Sequence, residues 1–126
     1  KSGNRRAMLL FGFGDPQHIS VKDLKFKPEA SQIGEKIELS FALSIKGTHE
    51  TLVRLEYVVD YVKTKGKRSK KVFQISEKSY SPGAHTIIKR HSFEDMSTRK
   101  HYPGPHKVSI IVNGVEKGSK VIELSR

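Results

Sequence analysis

The chain contains 126 residues with no cysteine, and its 24 Lys and Arg residues against 13 Asp and Glu give a formal net charge of +11. That length supports one domain with one sizeable hydrophobic core. A content of 35% apolar and 29% charged residues is typical of a globular protein and excludes a disordered chain. The absence of cysteine excludes disulfides and thiolate metal sites, and it fits a reducing, cytoplasmic location. The longest mostly apolar run, AMLLFGF, is shorter than the roughly 20 residues of a membrane-spanning helix, so no membrane partner is expected.

Residues 1–16 are expected to form the end of an upstream helix and a linker. In NRRAMLLFGFG, Asn4 is a typical helix cap and Gly12 a typical helix stop, so the sequence predicts a short helical stub. Gly12, Gly14 and Pro16 then supply the linker. The sequence does not begin with methionine, and we therefore expect a longer chain with a domain upstream. The apolar stub packs either on the domain that follows it or within that upstream domain.

The remaining residues, 17–126, contain seven segments with strand character. The clearest is KIELSFALSI, in which every second residue from Ile37 to Ile45 is apolar. Asn113–Gly114 is a strong hairpin signal between the last two segments. The seven segments are Ile19–Phe26, Ile37–Ile45, Leu52–Val62, Lys70–Ser76, His85–Phe93 and two within residues 106–124.

No long helical pattern interrupts these segments. The sequence therefore predicts an all-β fold, a seven-stranded antiparallel immunoglobulin-like sandwich preceded by the short N-terminal helical stub. An open barrel with the same strands is the alternative. The predicted core consists of Ile37, Leu39, Phe41, Leu43, Leu55, Tyr57, Val59, Phe73, Ile75, Val108, Ile110 and Val112.

The positive charge is concentrated in the middle of the chain. Residues 1–62 carry a net charge of +1, residues 63–107 a net charge of +9, and residues 108–126 a net charge of +1. The densest run is KTKGKRSKK, from Lys63 to Lys71, between two predicted strands. Solubility does not require this asymmetry, whereas attraction to a polyanion explains it.

The histidines and acids do not form a recognisable reactive site. His101 and His106 flank YPGP and His91 precedes them, but this spacing matches no metal-binding pattern, so we interpret them as surface or phosphate-facing imidazoles. The acids are scattered about one per strand or turn, without a paired base and nucleophile. The sequence therefore predicts a chain with no catalytic residue, no metal site and no cofactor.

Two stretches resemble a known family. DYVKTKGKRSKKVFQI and KRHSFEDMSTRKHYPGPHKVSIIVNG are similar to the C-terminal domain that follows the HEAT-like helical repeats in many bacterial DNA alkylation repair proteins. AMLLFGFGDPQHISVKDLKF resembles the junction between the last repeat helix and the first strand. The resemblance implies that the helical repeats carry the glycosylase activity, so no active-site residue transfers to this chain. The positions that match are Lys65–Lys71, His91–Phe93, Thr98–Gly104 and Val112–Gly114.

Two functions remain open at this point. The first is a non-catalytic accessory domain of a DNA alkylation repair protein, which binds the phosphate backbone of double-stranded DNA beside an upstream helical-repeat domain in the same chain. The second is a protein-protein or intramolecular docking module without direct DNA contact. DNA binding is favoured if the basic turn, Lys65–Lys71, and the basic loop, Ser97–Gly104, lie at the same end of the sandwich. The predicted DNA-binding residues are Lys63, Lys65, Lys67, Arg68, Lys70, Lys71, Lys89, Arg90, Arg99, Lys100, His101 and Lys107.

Overall fold

The computed structural model describes residues 14–27, 30–32, 34–62, 68–92 and 103–125. A single 3-10 turn, Pro16–His18, precedes the first strand. The strands are β1 (Ile19–Lys27), β2 (Ala30–Gln32), β3 (Lys36–Ile45), β4 (Thr51–Val62), β5 (Arg68–Tyr80), β6 (Gly83–Ser92), β7 (Gly104–Val112) and β8 (Val115–Ser125).

The strands form two sheets. The three-stranded sheet has the order β1-β3-β6, and the five-stranded sheet has the order β2-β8-β7-β4-β5. Every ladder is antiparallel except that between β2 and β8, which is parallel. The predicted all-β sandwich with seven main strands is confirmed, and the barrel alternative is excluded because the strands divide between two sheets. The sequence did not indicate β2, and the predicted helical stub lies outside the described residues.

The core lies between the inner faces of the two sheets. In β3, Ile37 and the alternate residues up to Ile45 are at most 3% exposed, so the predicted face of this strand is the buried one. Of the twelve predicted core residues, ten are buried, and Phe73 and Ile75 are partly buried against them. These last two lie on β5, an edge strand of the five-stranded sheet, where fewer neighbours cover a side chain.

An irregularity in β1 decides which side chains face outward. The pairing with β3 shifts between Lys22 and Lys25, and Asp23 has a φ of 58° there. Lys22 pairs with Ala42 and Lys25 pairs with Ser40, both on the outer side of β3. The bulge therefore places both lysines on the same outer face, although they are three residues apart.

Candidate nucleic-acid interface

The structure describes half of the twelve predicted DNA-binding residues, one of them only as backbone. Arg68 begins β5, and Lys70 and Lys71 follow it on the same strand. The others with described side chains are Lys89, Arg90 and Lys107, and those outside the described residues are Lys63, Lys65, Lys67, Arg99, Lys100 and His101.

Tyr61 connects three strand ends at one end of the sandwich. Its hydroxyl lies 3.1 Å from Nε2 of His91, at the end of β6. Its ring meets the ring of His106, near the start of β7, edge to face with 5.8 Å between centroids. Tyr61 itself is the residue before the end of β4. The last residue of β4, Val62, pairs with Arg68, the first residue of β5. We call this the Tyr61 end.

The basic turn and the basic loop are therefore connected to the same end of the sandwich. Residues 63–67 join β4 to β5, and residues 93–103 join β6 to β7. All four strand ends that flank these segments lie at the Tyr61 end. Of the two arrangements that the sequence allowed, the structure has the one in which both segments are attached to the same end, and this arrangement favours a contiguous positive potential.

His91 is held in the core by two tyrosines. It is 6% exposed, and the hydroxyl of Tyr57 lies 2.8 Å from its Nδ1, on the opposite side of the ring from Tyr61. When the imidazole is neutral, it has one donor and one acceptor nitrogen, and one tyrosine hydroxyl then donates to the ring while the other accepts from it. The ring of Phe73 meets the His91 ring edge to face, with 5.0 Å between the two centroids. Burial, with a smaller contribution from Tyr61, raises the pKa of Tyr57 to about 12.

The interpretation of His91 and His106 as surface or phosphate-facing imidazoles is wrong. His106 is completely buried, and its Nδ1 donates a hydrogen bond of 3.0 Å to the carbonyl oxygen of Gly104. Both rings serve to fix the strand ends at the Tyr61 end. The sequence did contain a signal for their burial, because residues an even number of positions apart in a strand lie on the same face. His91 follows Ile87 by four residues, and His106 precedes Val108 by two.

Lys70 and Lys107 lie together on the outer face of the five-stranded sheet. Both pair with Asp60, Lys70 from β5 and Lys107 from β7, so one carboxylate lies between two lysines in the same row. Opposite charges in such cross-strand positions attract each other. Lys71 pairs with Val59 on the inner side and is exposed at the open edge of β5.

Lys89 and Arg90 point to opposite sides of β6. Lys89 pairs with Leu39 on the inner side and is partly buried, whereas Arg90 pairs with Glu38 on the outer face of the three-stranded sheet and is exposed. The structure thus brings Lys70 and Lys107 together and places Arg90 on the other sheet.

The N-terminal junction is attached at the opposite end of the sandwich. Gly14, expected in the linker, donates its N–H to the carbonyl oxygen of Leu52 at 2.9 Å. Its own carbonyl accepts a bond of 2.8 Å from Nδ2 of Asn113, the first residue of the β7–β8 hairpin turn. A Cβ at Gly14 would overlap Cγ2 of Thr51. We call this the junction end.

Neither a metal cluster nor a membrane-spanning helix occurs in the part of the chain that the structure describes. Its His, Asp and Glu residues form no group of three or more that could hold a metal ion. Within the same residues, no helix is long and apolar enough to cross a bilayer.

Comparison with known proteins identifies related domains. Residues 20–126 match the family described as "Uncharacterised protein YhaZ, C-terminal Ig-like domain". YhaZ of Bacillus subtilis (strain 168) is 40% identical over 120 residues, which is 94% of this chain and 33% of that protein. The chain therefore spans about one third of the length of this relative.

Among solved structures, the alkylpurine DNA glycosylase AlkC of Pseudomonas fluorescens, bound to DNA containing an abasic site analog, is 36% identical with a TM-score of 0.83. The match covers 98% of this chain and 34% of AlkC. A β-glucosidase of Listeria innocua matches 86% of this chain and 16% of its own at 13% identity and a TM-score of 0.65, a likeness of fold alone. The similarity to AlkC confirms the resemblance of this chain to a domain of DNA alkylation repair proteins. Because the family model covers residues 20–126, the chain belongs to the family of YhaZ C-terminal Ig-like domains.

Proposed function

We propose that the chain is a non-catalytic accessory domain of a cytoplasmic DNA alkylation repair protein, and that it binds the phosphate backbone of duplex DNA through basic residues at its Tyr61 end. A helical-repeat domain upstream in the same chain is its intramolecular partner and carries the base chemistry. The 36% identity with AlkC, which was solved bound to DNA, supports the assignment to DNA repair.

The observation that carries this proposal is the contact of Tyr61 with both His91 and His106. This contact brings together the strand ends that flank residues 63–67 and 93–103. These two segments together contain six of the twelve predicted DNA-binding residues. A polyanion needs contiguous positive potential, and two basic segments attached to one end supply it.

The position of the junction supports DNA as the partner of this end. β4 contains twelve residues, so at about 3.3 Å per residue its two ends lie roughly 36 Å apart. The Tyr61 end is therefore far from Gly14, through which an upstream domain is joined. Basic residues that docked onto that domain would be better placed near the junction.

The alternative, a protein docking module, is favoured by the outer face of the five-stranded sheet. Val72 and Val121 are 55% and 51% exposed on this face. The face is also acidic, since its described side chains include three basic and five acidic residues. An acidic surface with exposed valines suits a protein partner better than phosphate.

The test is duplex binding across a salt series, measured by fluorescence anisotropy with a labelled 20-base-pair duplex. If about five side chains meet phosphates, the log-log salt slope of the binding constant is about −4 to −5. Replacing Lys65, Lys67, Arg68, Lys70 and Lys71 by Gln should flatten this slope. The unfolding midpoint should stay nearly the same, because exposed charges contribute little to stability. An unchanged slope in this variant would favour the docking module.

A further inference from the structure

The outer faces of the two sheets differ in the sign of their charge. On the three-stranded sheet, register places five basic residues and one acidic residue on the outer face, namely Lys22, Lys25, Lys27, Lys36, Arg90 and Glu38. On the five-stranded sheet, the described outward charges are Arg54, Lys70, Lys107, Glu56, Asp60, Glu77, Glu116 and Glu123. The net charges of these paired residues are +4 and −2, and counting the charged bulge residue of each sheet, Asp23 of β1 and Lys117 of β8, gives +3 and −1.

We propose that the outer face of the three-stranded sheet, here called the basic sheet face, is a second contact surface for the phosphate backbone of duplex DNA. This inference rests on the proposed function and extends the contact from the Tyr61 end along β1. Four of its five basic residues lie outside the set that the sequence indicated.

The charges on this face are close enough to act together. Lys25 and Lys27 are two residues apart on one side of a strand, so their Cα atoms lie about 6.7 Å apart. Arg90 lies two strands from Lys27 in the same row, at roughly 10 Å. These separations are comparable with the Debye length of about 8 Å at physiological ionic strength, so the potentials of neighbouring residues add.

Glu38 does not cancel this potential. It is half-buried and pairs with Lys27 on one side and Arg90 on the other, so its single charge is shared between two basic neighbours. The row beyond it holds Lys25, Ser40 and Ile88, of which Ile88 is 58% exposed. The next row contains Lys22 with Ala42 and Thr86, and no acid.

The basic sheet face is continuous with the Tyr61 end. Lys36 pairs with Ser92, the last residue of β6, and Lys27 and Arg90 form the next outward row. The row nearest the junction end, Ser20 with Ser44 and Ala84, carries no charge. The four rows from Lys36 to Lys22 therefore carry a net charge of +1 each, so the positive potential extends from the Tyr61 end along the face, which fits one long polyanion that contacts both surfaces.

Edge protection is the competing explanation for the lysines of β1. β1 is an edge strand, and exposed lysines hinder edge-to-edge association of sheets. That account predicts aggregation when the lysines are removed, without a change in DNA binding. It also leaves the opposite sign of the two outer faces unexplained.

The test compares two variants that each lose three charges. The face variant is Lys22→Gln, Lys25→Gln and Lys27→Gln, and the control is Lys46→Gln, Lys78→Gln and Lys117→Gln, whose residues lie toward the junction end. Each phosphate contact contributes about 0.9 to the salt slope, so the face variant should lose about 2 to 3 from the slope of the 126-residue chain with the 20-base-pair duplex. The control should lose less than about 1.

Three outcomes overturn the inference. Equal losses in both variants would mean that only net charge matters. An unchanged slope in the face variant would exclude phosphate contacts on this face, and aggregation of that variant would then indicate edge protection. If the face variant is unchanged while the five-residue variant at the Tyr61 end loses its slope, the proposed function stands and this inference fails. If the unmodified chain does not bind the duplex, both fail.

Discussion

Phe41 lies on the inner face of β3 and is 2% exposed. We expect Phe41→Ala to lower the free energy of unfolding by about 3 to 5 kcal/mol, because it removes a large side chain from a packed core and leaves a cavity. Urea denaturation measures this change. Ser40→Ala, on the outer face of the same strand, is the control and should change it by less than about 0.5 kcal/mol. A loss below about 1 kcal/mol for Phe41→Ala would contradict the burial of this face.

Tyr57 gives a prediction on alkaline stability. Its pKa is raised to about 12 in the folded protein, against an ordinary value of about 10 in the unfolded chain. Between these two values the unfolded state has lost a proton that the folded state retains, so the free energy of unfolding falls as the pH rises. Its contribution is fully present below about pH 10.

We therefore expect a shallower decline in Tyr57→Phe above pH 10 than in the unmodified protein. At pH 7 this variant should be less stable by about 1 kcal/mol, because His91 loses a hydrogen-bond partner. Urea denaturation at pH 7, 10 and 11 measures both effects. Parallel declines of the two proteins above pH 10 would contradict the raised pKa.

At the scale of elements, Asn113 joins the β7–β8 hairpin to the N-terminal junction. Its φ is 46°, and that of Gly114 is 84°. A two-residue Asn-Gly hairpin turn requires such positive φ values at both positions. The side chain is completely buried, and its Oδ1 accepts the N–H of Arg54 at 2.7 Å while Nδ2 donates to Gly14. The residue thus serves the turn with its backbone and the junction with its side chain.

Two substitutions separate these roles of Asn113. Asn113→Gly keeps the positive φ but leaves buried backbone groups without their partner, and we expect a loss of about 1 to 3 kcal/mol in the free energy of unfolding. Asn113→Ala should lose about 1 kcal/mol more, since alanine does not favour this conformation. Chemical denaturation of both variants checks the order. Equal stability of the two would show that the conformation of the turn costs alanine nothing here.

The strands themselves could be predicted from the sequence, because a strand with one buried face alternates at every second residue, as in Ile37–Ile45. The three-residue β2 is too short to show an alternation. The bulge at Asp23 shifts the pattern of β1, so the outward position of Lys22 could not be obtained by counting. Alternation also indicated that His91 and His106 face the core, but their polarity led to the opposite interpretation.

At the scale of the whole molecule, the distribution of charge in space differs from its distribution along the chain. Residues 1–62 carry a net charge of only +1, yet β1 and β3 contribute four lysines to one outer face. The acids of the same segment include Glu56 and Asp60, on the outer face of the other sheet. Which strand ends meet is a tertiary property, so the contact of Tyr61 with His91 and His106 could not be predicted from the sequence.

Binding of duplex DNA at the Tyr61 end and along the basic sheet face would change the surroundings of particular backbone amides. The most direct measurement is a titration of the ¹⁵N-labelled chain with a 12-base-pair duplex, followed through its backbone amide resonances. We expect shifts at Lys70, Lys71, Arg90 and Lys27, because these amides lie beside the proposed phosphate contacts. The amides of Gly47 and Gly114, at the junction end, should not move. Shifts confined to the junction end or to the acidic residues Glu77 and Glu116 of the five-stranded sheet, or no shifts at all, would contradict the account.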